Sequence, residues 1–364
     1  MTVIRLSDCS AVGNLRIAHA RAKRHKAKHK CISEFEKNEV ELLEKLKKSL
    51  DSGVFKTSTY TFKVINDSGK ERVIAKLPYF PDRIVHHGYM NYLEPEFTKR
   101  FSSRSHASIP GRGIHAALRQ VRYMLLHYPE QTRYCFKMDI KKCFWNIDHE
   151  ILKEKLRALP CDEALFGALD ELVDSFPQVD DVISGIRIKR GIGVPIGNYP
   201  SQYLVNYLFT EFDKMLERMG YLHVRYMDDI CIFAATKEEA HAVKNISFQY
   251  FNYKLRMQIK ENWQIYPVKS RGVDFVGYRI FPNRVLYRKV DFQRFRKRIS
   301  EAYKHALRGG ITEKDESRIY SYAGWLRWCT PRARRTVWNN YFEPIFLVLG
   351  NPEMRKKVKE IINV

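Results

Sequence analysis

His223-Val224-Arg225-Tyr226-Met227-Asp228-Asp229-Ile230-Cys231-Ile232-Phe233-Ala234 is the stretch on which the fold turns. Residues 223–226 and 230–234 are short β-rich runs, and Met227-Asp228-Asp229 joins them. Two such runs around a short joint predict a hairpin, here with carboxylates at its tip. Adjacent like charges destabilise each other unless a cation neutralises them. An Asp-Asp pair alone is weak support for any function, and a single Asp at a strand end is usually a helix cap or a surface residue.

Working outward, residues 135–140 form a short apolar run that ends in Asp139-Ile140, a predicted strand carrying an acid at its end. Helical stretches are expected over 149–159 and 163–175, then a strand over 183–188. The Gly-rich turn Gly191-Ile192-Gly193-Val194-Pro195-Ile196-Gly197 follows. Residues 201–219 place Val205, Leu208, Phe209, Phe212, Leu216 and Met219 on one helical face, with Gly220 as the stop. Three acids on strand ends supply the oxygen donors that suit Mg²⁺. Two such ions about 3.5 to 4 Å apart stabilise both the attacking and the leaving oxygen in phosphoryl transfer.

The flanks are basic. Residues 14–30 carry seven Lys or Arg, three His and no acid, which predicts a cationic helix or arm that either touches phosphate through Arg21, Lys23, Arg24 and Lys26 or is a solvated tail. A helix is expected over 34–50, with Ser33 as a possible cap. Residues 60–75 alternate around Asn66-Asp67-Ser68-Gly69, the pattern of a hairpin with Lys70 and Arg72 on its returning strand. Residues 114–127 read as an amphipathic helix and 237–251 as another, and 273–280 with 284–287 as a closing hairpin. Residues 284–308 hold nine Lys or Arg against two acids, Arg294 and Arg298 among them.

Over 364 residues, 64 Lys plus Arg against 41 Asp plus Glu give a formal charge of +23, which favours a polyanionic partner. A mean hydropathy of −0.43, and the lack of an apolar run near the roughly 20 residues of a spanning helix, speak against a membrane and place the protein in the cytoplasm. Seven scattered cysteines, none spaced C-x-x-C, support neither a disulfide framework nor a zinc site. His86, His87 and His115 lack acidic companions at ligand spacing and are read as structural. The Gly111-Arg112-Gly113 turn is either a close approach to a phosphate or base, or a plain helix entry.

Phe136-Lys137-Met138-Asp139-Ile140-Lys141-Lys142-Cys143-Phe144 and Tyr226-Met227-Asp228-Asp229, in this order, resemble reverse transcriptases, and the likeness runs over about residues 70–328. The resemblance implies an α+β right-hand polymerase: a basic N-terminal helical segment over 1–50, fingers and palm over 51–280, and a helical basic thumb over 281–364. It implies that Asp139 and Asp228 hold two Mg²⁺ ions, that Asp229 supports them and that the Ile140 carbonyl contributes. It places Phe144 under the sugar of the incoming dNTP as a gate against ribose. Lys70 and Arg72, with Lys76 as a third candidate, fall on the triphosphate, and Ile196, Gly197, Gln202 and Tyr226 fall around the nucleotide.

Most intron and retron enzymes carry Pro-Gln-Gly and then Ser-Pro, where this chain reads Pro195-Ile196-Gly197-Asn198-Tyr199-Pro200-Ser201-Gln202. That departure is similar to the enzymes of diversity-generating retroelements. Asp82-Arg83-Ile84-Val85-His86-His87, Gly111-Arg112-Gly113-Ile114-His115, Gly272-Val273-Asp274-Phe275-Val276-Gly277-Tyr278 and Ser321-Tyr322-Ala323-Gly324-Trp325 extend the likeness. It implies a template RNA, a cDNA or primer strand, a small basic accessory protein, and errors at template adenines. A group II intron-like or defence-associated enzyme is the alternative, and a non-catalytic RNA-binding scaffold is the alternative of another class. Where the family often has a lysine that assists pyrophosphate departure, Asn262-Trp263 stands, with Lys260 nearby, so the general acid stays unassigned.

Overall fold

A computed structural model describes residues 2–67, 70–177, 180–183 and 185–364. The strands are β1 (Thr61–Asp67), β2 (Lys70–Lys76), β3 (Tyr134–Asp139), β4 (Asp181–Ile183), β5 (Ile186–Ile188), β6 (His223–Tyr226), β7 (Asp229–Ala234), β8 (Gln264–Pro267), β9 (Val273–Phe275), β10 (Tyr278–Ile280) and β11 (Val285–Tyr287). The chain forms two units interleaved in sequence: Met1–Gly111, Met138–Gly220 and Ala242–Trp263 make the first, and Arg112–Lys137, Tyr221–His241 and Gln264–Val364 the second.

The first unit is mainly helical. Its N-terminal helix Val12–Ala22 packs on Ile84–Arg100, a helix the sequence reading did not pick out. The approach is close because Gly88 has no side chain: a Cβ there would lie 3.2 Å from Leu15 Cδ2. Asn14 Nδ2 then donates to the carbonyls of Cys9 and Gly88 at 2.7 and 3.0 Å, which satisfies a buried amide. The helix expected over 34–50 is two, Lys30–Glu36 and Glu39–Asp51. The chain breaks at Asn38, whose ψ of 27° is not helical, and Glu39 and Glu41 restart it where a helix N-terminus favours negative charge. The long helix begins at Tyr199 rather than 201, because Pro200 suits the first turn.

β1 and β2 pair antiparallel from Thr61↔Lys76 to Asp67↔Lys70. Ser68, Gly69 and the Lys70 side chain, which bear on the expected turn and its triphosphate contact, lie outside the described residues, as does Ser184 within the expected strand 183–188. Val73, Ala75 and Leu77 turn inward from β2 onto Tyr60, Trp145, Phe176 and Ile188. Arg72 and Lys76 turn outward, as the two-residue period of a strand dictates.

The second unit is built on a sheet of order β6-β7-β3-β8, covered by the helix Ile114–His127, whose Ala117, Leu118, Val121, Met124 and Leu125 are buried. β8, missed in the sequence, pairs antiparallel with β3. The expected closing hairpin is a three-stranded sheet, because Val276 and Gly277, at φ of 46° and 88°, turn the chain between β9 and β10. Helices Lys289–Leu307, Glu313–Leu326, Pro331–Val337, Glu343–Leu349 and Pro352–Ile362 share a core that includes Phe295, Ile319, Phe342 and Val358.

Candidate active site

β6 and β7 pair from His223↔Ile232 to Tyr226↔Asp229, so Met227 and Asp228 alone make the joint. Met227 takes a φ of 60°, an unusual backbone for a residue with a side chain, and costs of order 1 kcal/mol. The surroundings hold it. The wholly buried Arg225 donates through Nη1 to the Met227 carbonyl at 3.3 Å. Tyr226 is half-buried against the second unit's core, and burial raises its phenol pKa.

Asp229 opens β7 and meets Lys137 on β3, the neighbouring strand: Nζ lies 3.3 Å from one carboxylate oxygen and 3.4 Å from the other. The same ammonium donates to the Asp274 carbonyl at 2.5 Å. Burial alone would lower the pKa of Lys137, but Asp229, Cys231 and Asp274 outweigh it, so the net shift is upward and the group stays charged. Sequence reading missed both Arg225 and Lys137 as parts of the site. The detectable signal was a cation inside each short strand, next to the buried Val224 in one and between the buried Phe136 and Met138 in the other.

In the first unit, Asp139 ends β3. Its carbonyl accepts from the Lys260 amide at 2.8 Å, and its carboxylate lies 3.6 Å from Lys260 Nζ. Ile140 is buried and bridges to Ile259, and the Lys141 amide donates to the Gln258 carbonyl at 2.8 Å. Asn262 is exposed, so it is Lys260 that stands beside Asp139.

Phe144 sits in a 3₁₀ turn, Cys143–Trp145, half-buried between buried neighbours. The Gly-rich turn locks onto it. Val194 N donates to Phe144 O and Gly193 N to Ile147 O, both at 2.7 Å, and His149 Nε2 lies 2.7 Å from the Gly193 carbonyl. Further along, Ala75 N donates to the Ile196 carbonyl at 3.0 Å, tying the turn to β2. Gly197 has a φ of 113°, and a Cβ there would come 2.8 Å from Ile74 Cγ2, so only glycine allows this approach. Ile196 is half-buried against the cluster under β2, and Gln202 is exposed on the first turn of the following helix.

The basic residues fare unevenly. Arg21 donates to Asn91 at 2.7 Å and Lys23 pairs with Glu36 at 2.8 Å, so both also hold the N-terminal helices in place. Arg24 and Lys26 are exposed. In the second unit, Arg294 faces Asp291 at 3.5 Å and Arg298 pairs with Glu301 at 2.9 Å, each on its own helix.

His87 stacks on Tyr199 with ring centroids 4.4 Å apart, and His86 is buried, which depresses both imidazole pKa values, to about 4 and about 3. His115 stacks on Trp328 at 4.3 Å, and Tyr278 donates to the Trp325 carbonyl at 2.9 Å. Three of the sequence motifs thus meet in one aromatic cluster. A Cβ on Gly277 would lie 2.7 Å from Trp325, which explains that glycine.

Among the described residues, no three His, Cys, Asp or Glu side chains cluster as they would around an ion. The acids at the strand ends nonetheless offer the hard oxygen donors that a divalent cation requires. Asp139 and Asp229 each already face an ammonium within 3.6 Å.

An α+β fold whose central sheet ends in these acids is that of a nucleic-acid polymerase. The model of the reverse transcriptase (RNA-dependent DNA polymerase) family matches residues 56–280, more than half of the chain, and the protein belongs to that family. It is 26% identical to Protein YkfC of Escherichia coli K12 over 205 residues, 55% of this chain and 48% of that protein. It is 32% identical to nuclear intron maturase 1, mitochondrial, of Arabidopsis thaliana over 104 residues, 28% of this chain and 14% of that one. The chain therefore spans about half the length of one relative and far less of the other. In fold it is similar to apo telomerase from Candida tropicalis, with a TM-score of 0.50 and 13% identity over 84% of this chain and 58% of that one. Among the described residues, no helix is long and apolar enough to cross a membrane.

Proposed function

We propose that this protein copies an RNA template into DNA, with Asp139, Asp228 and Asp229 and the Ile140 carbonyl as ligands of two Mg²⁺ ions. The observation that carries the reading lies within the second unit: β7, which begins on Asp229, runs beside β3, and Lys137 of β3 meets the Asp229 carboxylate at 3.3 Å. Asp229 and Asp139 are each balanced by a lysine ammonium, at 3.3 and 3.6 Å, so the site is already arranged to hold negative charge against positive. Bound there, Mg²⁺ would lower the barrier by neutralising the attacking 3′-oxygen and the departing pyrophosphate.

The chain's own residues would do the positioning. Arg72 and Lys70 on β2 bind the triphosphate, Phe144 excludes a 2′-hydroxyl, and the turn 191–197, bonded to both Phe144 and β2, fixes their spacing. The formal charge of +23 supports a nucleic-acid partner held along the basic N-terminal segment 1–50 and the thumb 281–364.

We further assign the enzyme to the diversity-generating type, with a small basic accessory protein as partner and errors directed to template adenines. Ile196 supports this, since it presents an apolar, stiff side chain where related enzymes carry a hydrogen-bonding glutamine. A near-duplicate DNA repeat beside the gene, differing mainly at adenines, is the observation to seek. Flanking DNA that encodes an intron and no such repeat would favour the group II intron-like alternative.

Primer extension tests the central assignment. Asp139→Asn and Asp228→Asn keep side-chain shape but remove the charge that holds the metal, and should lower the rate by at least about 10³-fold while RNA binding persists. Near-normal extension by either would overturn it, and an inactive wild type would favour the RNA-binding scaffold. In the same assay Phe144→Ala should incorporate rNTPs far more readily. Unchanged discrimination would make Phe144 a packing residue only.

A further inference from the structure

The second unit holds a group of cations that the sites above do not use. Arg122, Lys289 and Arg332 are exposed, and among the described residues none of them has an acid within ion-pair distance. With Arg284, stacked on Phe281 at 4.1 Å, and Arg279, shared with Asp274 at 3.3 Å, they ring a cavity of about 960 Å³. Among the described residues, no Asp or Glu lines it. Arg294 and Arg298, by contrast, spend charge on acids of their own helix.

The floor is chemically different from the rim. Leu326, Cys329 and Val337 are buried at its base, and Tyr287 and Phe292 form a half-buried aromatic wall, their rings 6.3 Å apart. The Tyr287 hydroxyl is committed to the Tyr322 carbonyl at 3.0 Å, so the wall offers ring surface rather than hydrogen-bond readout.

Five cations around an apolar recess repel one another, and a polyanion relieves that repulsion. A simple phosphate would leave the aromatic wall unused, and a greasy ligand would leave the rim unused. A nucleotide has both parts, and in a duplex its base faces are hidden by stacking. We propose that this cavity binds a nucleotide of single-stranded RNA, with its base against Tyr287 and Phe292 and the flanking phosphates on the arginines. Recognition there is tolerant of sequence, because every base has a ring face. The proposal rests on the RNA-copying reading for the source of the strand, but not on the carboxylates.

The test uses the full chain and a short oligouridylate bearing thiouridine. Ultraviolet crosslinks should map to peptides that hold Tyr287, Phe292 or Cys329. The double variant K289E/R332E should weaken oligouridylate binding by about tenfold, and the charge-matched control K237E/K269E, at exposed lysines outside both basic segments, by much less. Crosslinks confined elsewhere, or equal losses in the two double variants, would overturn the proposal. So would a polyglutamate peptide that blocks crosslinking as well as unlabelled RNA does, since the cavity would then be a protein-docking site. Primer extension by the wild type, run in parallel, reports on the polymerase reading separately from this crosslink.

Discussion

Two hairpins of the chain, one in each unit, are built in opposite ways. In β6–β7 nearly every residue is buried, and the strained joint at Met227 is clamped by the guanidinium of a wholly buried arginine. In β1–β2 one face covers a small apolar cluster, while Phe62, Val64 and Ile65 are partly exposed and Arg72 and Lys76 face outward. A carboxylate that must hold a cation in fixed geometry needs a rigid support on all sides. A cation that must reach a triphosphate needs the reverse, a strand edge with an open face. The free energy to unfold locally should therefore be high in the first hairpin and low in the second.

The largest effect expected from this contrast is at Lys137. Lys137→Met removes the cation between the half-buried Asp229 carboxylate and the Asp274 carbonyl. Chemical denaturation should show a loss of about 2 kcal/mol. Arg72→Ala should change stability by less than about 0.5 kcal/mol while raising the KM for dNTP. Equal stability losses in the two variants would erase the distinction between the hairpins.

The root of the open hairpin offers the next test. Gly197→Ala places a Cβ against Ile74 at a φ that disfavours side chains, and should cost about 1 to 2 kcal/mol. Gly220, also at positive φ, has nothing within 4 Å of a Cβ, so Gly220→Ala carries only the backbone penalty. A smaller loss at Gly197 than at Gly220 would mean that the turn does not need its close approach to β2.

The readout least dependent on stability is at Ile196. Ile196→Gln should leave stability within about 1 kcal/mol, because the position is half-buried, and should lower misincorporation opposite template adenine. A hydrogen bond gained there is worth roughly 1 kcal/mol, or several-fold in error rate. Sequenced cDNA in which errors are unchanged, or spread evenly over four template bases, would leave Ile196 a packing residue of the hairpin's root.

Much of the site was legible because local patterns carry it. The alternation of residues 223–226 and 230–234 around Met227-Asp228-Asp229 gives a hairpin with the acids at its tip, since side-chain period and joint length are local properties. The same holds for the helix Ile114–His127, whose apolar spacing gives both of its ends. The break at Asn38 and the early start at Tyr199 were less visible, because capping competes with helix propensity at single residues.

By itself, then, the sequence determined the strand-borne acids, the apolar faces and the surplus of positive charge, because each is written in residue type and spacing along the chain. Only the tertiary structure decided which cation answers which acid. Lys137 meets Asp229 across 92 positions of sequence and Lys260 meets Asp139 from a separate segment, while Arg294 and Arg298 of the helix Lys289–Leu307 turn to acids of their own helix. Such pairings depend on strand order and on which helix face is covered, and both are set by the burial of apolar surface over the whole unit, a sum over distant residues that no local pattern contains.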